Sequence, residues 1–186
     1  MTENLQNIAE IHFGTAIKSF KNGNLPYLRV SNITSNGRID TEQMVYVKDH
    51  FAETENLLET GDLVLPAKGQ KFSSAIITDE FRNGVVASSS LFVIRIKERD
   101  VLPEYVHWYF NLPHTKWKLE SAATGTNILS LSIKFLRGLY VELPDIETQQ
   151  KIIDLKKLQE EEQKKMYQLG DARKKLTEAV TKKLIE

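Results

Sequence analysis

Lys68, Gln70 and Lys71 fall in one short loop, Ala67-Lys-Gly-Gln-Lys71, directly after an apolar run ending at Pro66. An ammonium on a loop can hold a phosphate by charge. A glutamine amide can meet a base edge with a paired donor and acceptor. A second polar loop, Thr124-Gly-Thr-Asn127, adds Thr126 and Asn127 as short donors beside a glycine. Ser88-Ser-Ser90 offers donors of the same kind. Lys134 and Arg137 follow the second loop and can add phosphate contacts, with Lys18, Lys21 and Arg29 as secondary phosphate candidates. Arg29 also has a second reading, as the basic end of a strand that holds its own domain together. A lysine on a loop is most often only solvated, so the grouping carries the argument.

Other chemistries lack their residues. His12, His50, His107 and His114 form no metal pattern; Pro113 breaks any helical face shared by the last two, and no carboxylate pair completes a site. There is no cysteine, hence no disulfide framework and no thiolate metal site. Phosphate-loop, dinucleotide and nucleophile-elbow motifs are absent, as is a convincing pair of carboxylates for acid–base work. No metal and no cofactor is expected, and a non-enzyme is the expectation. Trp108 and Trp117 are expected in the core rather than as platforms for stacked bases.

Net charge is zero, from 25 basic and 25 acidic residues, which argues mildly against a nucleic-acid binder. The charges are nevertheless segregated along the chain. Ile11 to Ile39 contains Lys18, Lys21, Arg29 and Arg38 and no acid. Tyr105 to Leu119 and Ser121 to Val141 are also free of acids, whereas Glu42 to Asp62 holds six acids and one lysine. A neutral chain can still present a basic face if such segments meet in space. The N-terminus lacks the basic-then-apolar order of a secretory signal, and no apolar run is long enough to span a bilayer. A cytoplasmic protein without membrane contact is the expectation.

The elements that must position these loops read as an α+β domain of mixed strands and short helices, residues 1–146, followed by a long helix, residues 147–186. Strands are expected at residues 5–12, 26–30, 43–48, 62–66, 74–78, 84–87, 91–97 and 138–143. Asn36-Gly37 is the strongest turn signal. A short helix is expected over Thr54 to Glu59, closed by Gly61. Asp100 is expected to cap a helix with Pro103 in its first turn, and Pro113 to open another through Leu119.

From Glu147 to Glu186 there is no proline and only one glycine. A step of alternately 3 and 4 residues from Ile152 visits Leu155, Gln159, Glu162, Met166, Leu169, Arg173, Leu176, Val180 and Lys183; six of the ten positions are apolar. That is a moderate coiled-coil seam, too narrow for a helix alone in water. In an antiparallel homodimer centred between Met166 and Leu169, Glu162 faces Arg173, and two awkward seam charges become complementary. The alternative is that both charges snorkel from a helix packed on its own domain.

Taken together the segments resemble a target-recognition domain and its helix from the DNA-specificity subunit of type I restriction–modification systems. The resemblance rests on Ile8-Ala-Glu-Ile-His-Phe-Gly14, Pro26-Tyr-Leu-Arg-Val-Ser-Asn-Ile33, Gly61-Asp-Leu-Val64, Pro103-Glu-Tyr105 and Ile128 to Pro144. Gln149 and Ile152 fit the family's helix start, while Thr148 stands where a Glu is usual. Such subunits usually carry two recognition domains and two long helices, and this chain has one of each. The resemblance therefore implies a half-subunit that pairs through Ile152, Leu155, Glu162, Met166, Leu169, Arg173, Leu176 and Val180. It implies double-stranded DNA, methyltransferase subunits and a restriction subunit as partners, and a split palindromic target. A protein-interaction scaffold and an inactive truncated subunit are the competing expectations.

Overall fold

The computed structural model describes residues 1–17, 23–48 and 57–185. The chain forms two compact units, Met1–Gln149 and Gln150–Glu186. The first unit is α+β. Its centre is a four-stranded antiparallel sheet of β2 (Ala9–Phe13), β9 (Leu91–Ile96), β5 (Leu63–Pro66) and β7 (Ala75–Ile76), in that order. β5 is apolar at every position and fully buried, as a strand covered on both faces must be, and Pro66 falls at its end, where a missing N–H costs no ladder bond. Leu63, Leu65, Phe92 and Ile94 are wholly shielded from water. Each such side chain contributes about 2 kcal/mol of burial.

A three-stranded sheet joins β3 (Leu25–Leu28) antiparallel to β4 (Val45–Val47) and parallel to β8 (Val86–Ala87). Two ribbons complete the β structure among the described residues. β1 (Thr2–Asn4) pairs with β11 (Tyr140–Glu142), and β6 (Lys68–Gly69) pairs with β10 (Leu129–Ser130). Among the described residues the α-helices of this unit are α1 (Leu5–Ile8), α2 (Pro103–Phe110), α3 (Pro113–Ala122) and α4 (Ile133–Arg137). In the second unit, α5 (Ile146–Ile185) continues without a break from a start within the first.

Several expectations are corrected. Residues 5–12 are not one strand: Leu5 and Ile8 are buried at helical spacing in α1, and the alternating pattern begins only at Ala9. Of the helix expected over Thr54 to Glu59, residues 54–56 lie outside the described residues. Leu57 forms a bridge with Val86, and Leu58 donates its N–H to the Val85 carbonyl at 2.9 Å, so these residues extend along a strand instead. Asp100 does not cap α2. The cap position is Leu102, and its N–H is bound by the Gln149 side chain at 3.0 Å. α4 was not expected, because its five residues sit inside a Ser-rich stretch with strand-like apolar spacing. Ser132 caps it by accepting the Lys134 N–H at 3.2 Å. Trp117 is 68% exposed, against the expectation of a core position. Thr115 and Leu119 are the buried positions of α3, and Trp117 lies about 200° around the helix from each. Trp108 is half-buried, its ring centre 5.4 Å from that of Tyr105.

Candidate nucleic-acid interface

The ladder between β6 and β10 brings together two loops far apart in sequence. Ser130 lies opposite Lys68 and Leu129 opposite Gly69. Leu131 adds an N–H to the Ala67 carbonyl at 2.9 Å. The second loop is closed on itself, with Thr124 and Ser130 exchanging N–H···O bonds of 3.0 and 2.8 Å. Its turn requires glycine. Gly125 has φ +133°, and a Cβ there would lie 2.3 Å from the Ile128 carbonyl oxygen. Lys68, Gln70 and Lys71 on one loop and Thr126 and Asn127 on the other are all exposed. Among the described residues, neither Lys68, Lys71 nor Lys134 makes an ion pair, and the Gln70 amide has no hydrogen-bond partner. Five of the sequence-selected donors thus share one ribbon, with their polar groups uncommitted. Lys134 is exposed on α4, four residues beyond the ribbon.

Beside Gln70 and Lys71 the surface dips into a hollow of about 290 Å³, lined by Val30, Ile33, Thr34, Ser35, Pro66, Gln70, Lys71 and Ser73. Of its lining, Val30, Ile33 and Thr34 are half-buried, Pro66 and Ser73 are buried, and Ser35, Gln70 and Lys71 are exposed; no acid is among these residues. The hollow is firmly built. Asn32, between the lining residues Val30 and Ile33 in the chain, is buried; it accepts the Arg29 N–H at 3.0 Å and donates to the Asp40 carbonyl at 3.1 Å. The turn predicted at Asn36-Gly37 is present, with Gly37 at φ +76°. A Cβ at Gly37 would lie 2.6 Å from the Ser74 carbonyl oxygen, so the turn presses closely on its neighbour. The Ser35 carbonyl accepts from the Ser73 hydroxyl at 2.9 Å and from the Lys116 ammonium at 3.0 Å. The last bond also joins two of the acid-free segments, 11–39 and 105–119, in space.

The secondary candidates divide. Lys18 and Lys21 lie outside the described residues. Arg29 donates from one terminal nitrogen to the Gln43 carbonyl at 3.3 Å, and its Nε is buried without a partner. That contact fits its role as a brace between β3 and the segment before β4. Arg137 reaches the Ile11 carbonyl at 3.0 Å. Ser88 is buried in the fold, with its N–H on the Leu28 carbonyl at 2.8 Å.

Sequence reasoning missed the contribution of Thr34, Ser35, Ser73 and Lys116 to this surface. The turn signal at Asn36-Gly37 locates the bend. Nothing local says that residues 70–73 come to rest beside it. Among the described residues no group of three or more His, Asp or Glu side chains is arranged to hold a metal ion. Among the described residues no helix is long and apolar enough to cross a membrane.

The sequence matches the type I restriction modification DNA specificity domain family over residues 1–168. No curated protein matches it. Among solved structures, the fold is similar to the S subunit of a type I restriction–modification system from M. genitalium, with TM-score 0.62 and 10% identity, covering 87% of this chain and 39% of that one. It is similar to the HsdS subunit from Thermoanaerobacter tengcongensis, with TM-score 0.58 and 15% identity, covering 87% of this chain and 37% of that one. A chain from a structure concerned with complex assembly and conformational transition of the type I R-M system gives TM-score 0.59 at 15% identity, covering 87% and 38%. The chain therefore spans about two fifths of the length of each solved subunit it resembles. At these identities the likeness is one of fold.

Proposed function

Because the chain belongs to the type I restriction modification DNA specificity domain family, we propose that it is the non-catalytic, sequence-reading part of a cytoplasmic type I restriction–modification complex. The observation that carries this reading is the ribbon of β6 and β10, which unites exposed, uncommitted Lys68, Gln70, Lys71, Thr126 and Asn127 beside an acid-free hollow. Lysine ammonium groups hold phosphates and set register, while amide and hydroxyl groups meet base edges. Methylation and cleavage belong to partner subunits docked on the assembly.

The second part of the proposal concerns assembly. Two copies pair through α5, so that two recognition domains engage one duplex and read a split, palindromic site. The apolar seam supports this. Leu155, Met166 and Leu176 are 69%, 65% and 65% exposed, and Leu169 and Val180 are 47% and 49% exposed. Glu162 and Arg173 make no ion pair among the described residues, which leaves each available to the other across an antiparallel pair.

The test of DNA recognition is binding to duplex DNA across a salt series. The logarithm of affinity falls linearly with the logarithm of salt concentration, by about 0.9 for each neutralised phosphate. Lys68→Ala and Lys71→Ala should each flatten that slope by about 0.9. Binding that ignores both salt and these substitutions would favour a protein-interaction module instead.

A further inference from the structure

We propose that the hollow beside Gln70 reads an A·T base pair in each half-site. Gln70 meets the adenine edge, and the apolar lining of Val30, Ile33 and Pro66 takes the thymine methyl. This rests on the reading of the chain as a DNA-recognition domain and names what its built site is made to read.

Three observations carry it. The first is the amide itself. Gln70 is exposed, lines the hollow and has no hydrogen-bond partner among the described residues. A glutamine amide offers one donor direction and one acceptor, which matches the N7 acceptor and N6 amino donor of adenine in the major groove. Guanine presents two acceptors there, which a guanidinium or ammonium meets; Lys71 carries an ammonium on the same rim, but only the amide has the donor and acceptor together that adenine asks for, while cytosine presents a donor and asks for a carboxylate. No carboxylate lines the hollow. Arg29, the nearest arginine in sequence to the apolar lining, is bound to the Gln43 carbonyl.

The second observation is the apolar lining. Val30, Ile33 and Pro66 give the hollow an apolar lining, half-buried or buried, beside exposed Gln70 and Lys71. In the major groove only thymine carries a methyl group, and apolar side chains are its complement. A lining of this kind is wasted on a G·C pair. Amide and lining therefore ask for the two halves of the same base pair.

The third is rigidity. The wall at Ser35 is fixed by the Ser73 hydroxyl and the Lys116 ammonium, at 2.9 and 3.0 Å, and Asn32, between Val30 and Ile33 in the chain, is buried and doubly bonded. A preformed wall makes base choice a matter of fit, not adaptation. Lys71, on the same rim, is placed to hold the adjoining phosphate.

The test uses the full chain with its methyltransferase subunit and a random duplex library. Sequences enriched by binding should contain an A·T pair at one fixed position of each half-site. Gln70→Ala should relax that position alone and weaken binding to the selected site roughly 10-fold. Replacing that thymine by deoxyuridine keeps the pair and removes the methyl; it should weaken binding several-fold in the wild type. Relaxation at a G·C position, no change of preference in Gln70→Ala, or indifference to deoxyuridine would each overturn the inference while leaving DNA recognition standing. A library that yields no enriched sequence would overturn the recognition reading itself, and this inference with it.

Discussion

Asp62 is a charged side chain only 2% exposed, and Arg95 answers it with two nitrogens at 2.8 and 2.6 Å while a third reaches Glu59 at 2.8 Å. The Asp62 carboxylate also accepts the Glu59 N–H at 2.8 Å. The hydrogen bond to Asp62 holds the guanidinium pKa above its ordinary value. Removing the arginine strands a buried carboxylate, so Arg95→Ala should destabilise the domain by about 3 kcal/mol in urea unfolding. Tyr105 gives a pH-dependent companion. Its hydroxyl donates to the Glu142 carbonyl at 2.6 Å, and burial pushes the phenol up to about 12. The fold thus favours the neutral phenol. That contribution is fully present below the ordinary value near 10 and is lost as pH rises through about 12. Tyr105→Phe should cost about 1 kcal/mol at neutral pH. The gap from wild type, read as urea midpoints, should narrow as pH rises above 10. At this scale the sequence shows which side chains have polar ends but not which of them meet. Lys68, Gln70 and Lys71 are exposed because they follow a strand end, a local matter. The pairing of Arg95 with Asp62 and the reach of Lys116 to Ser35 join residues far apart in the chain, and no local spacing predicts them.

The elements show where local rules suffice. Pro103 and Pro113 open α2 and α3 at their first helical positions, as proline's fixed φ allows. α5 is preceded by Asp145, whose carboxylate accepts the Thr148 N–H at 2.8 Å and its hydroxyl at 3.1 Å. Thr148 therefore joins a cap made by the residue three before it. One turn into α5, Gln149 is buried; it accepts the Leu102 N–H at 3.0 Å and donates to the Asp100 and Pro144 carbonyls, each at 2.9 Å. One side chain thus ties the start of α5 to the start of α2. Gln149→Ala would remove the side-chain partner of three backbone groups in a partly buried place. It should lower the stability of the recognition unit by about 2 to 3 kcal/mol, measured by chemical denaturation. Less than 0.5 kcal/mol would show that water replaces all three bonds. The expectations that failed did so where local pattern is ambiguous. Leu5 and Ile8, three apart, share a face only in a helix, but so short a helix leaves too few residues for that spacing to stand out from the alternation that follows. The apolar residues of Ile133 to Leu136 read as strand-like until Ser132 is seen to cap the first turn.

For the whole molecule the question is what covers the seam of α5. The helix has 40 residues, about 60 Å at 1.5 Å per residue. Two of its ion pairs, Lys156 with Glu160 and Asp171 with Lys175, are exposed, and each contributes no more than about 0.5 kcal/mol. A seam this exposed is stable when a second helix buries it. If the partner is an antiparallel copy, Glu162→Arg should weaken the dimer in sedimentation, and adding Arg173→Glu should restore it. Failure of the double variant to recover would exclude that register. The central claim is that the chain addresses a methyltransferase to a split, two-fold symmetric site. The most direct measurement is to co-express the chain with a methyltransferase subunit of its system and map methylated bases across the genome. The account predicts a palindromic motif in two short halves around an unread spacer, lost when residues 150–186 are deleted. A contiguous or asymmetric motif, or methylation that does not depend on this chain, would contradict it.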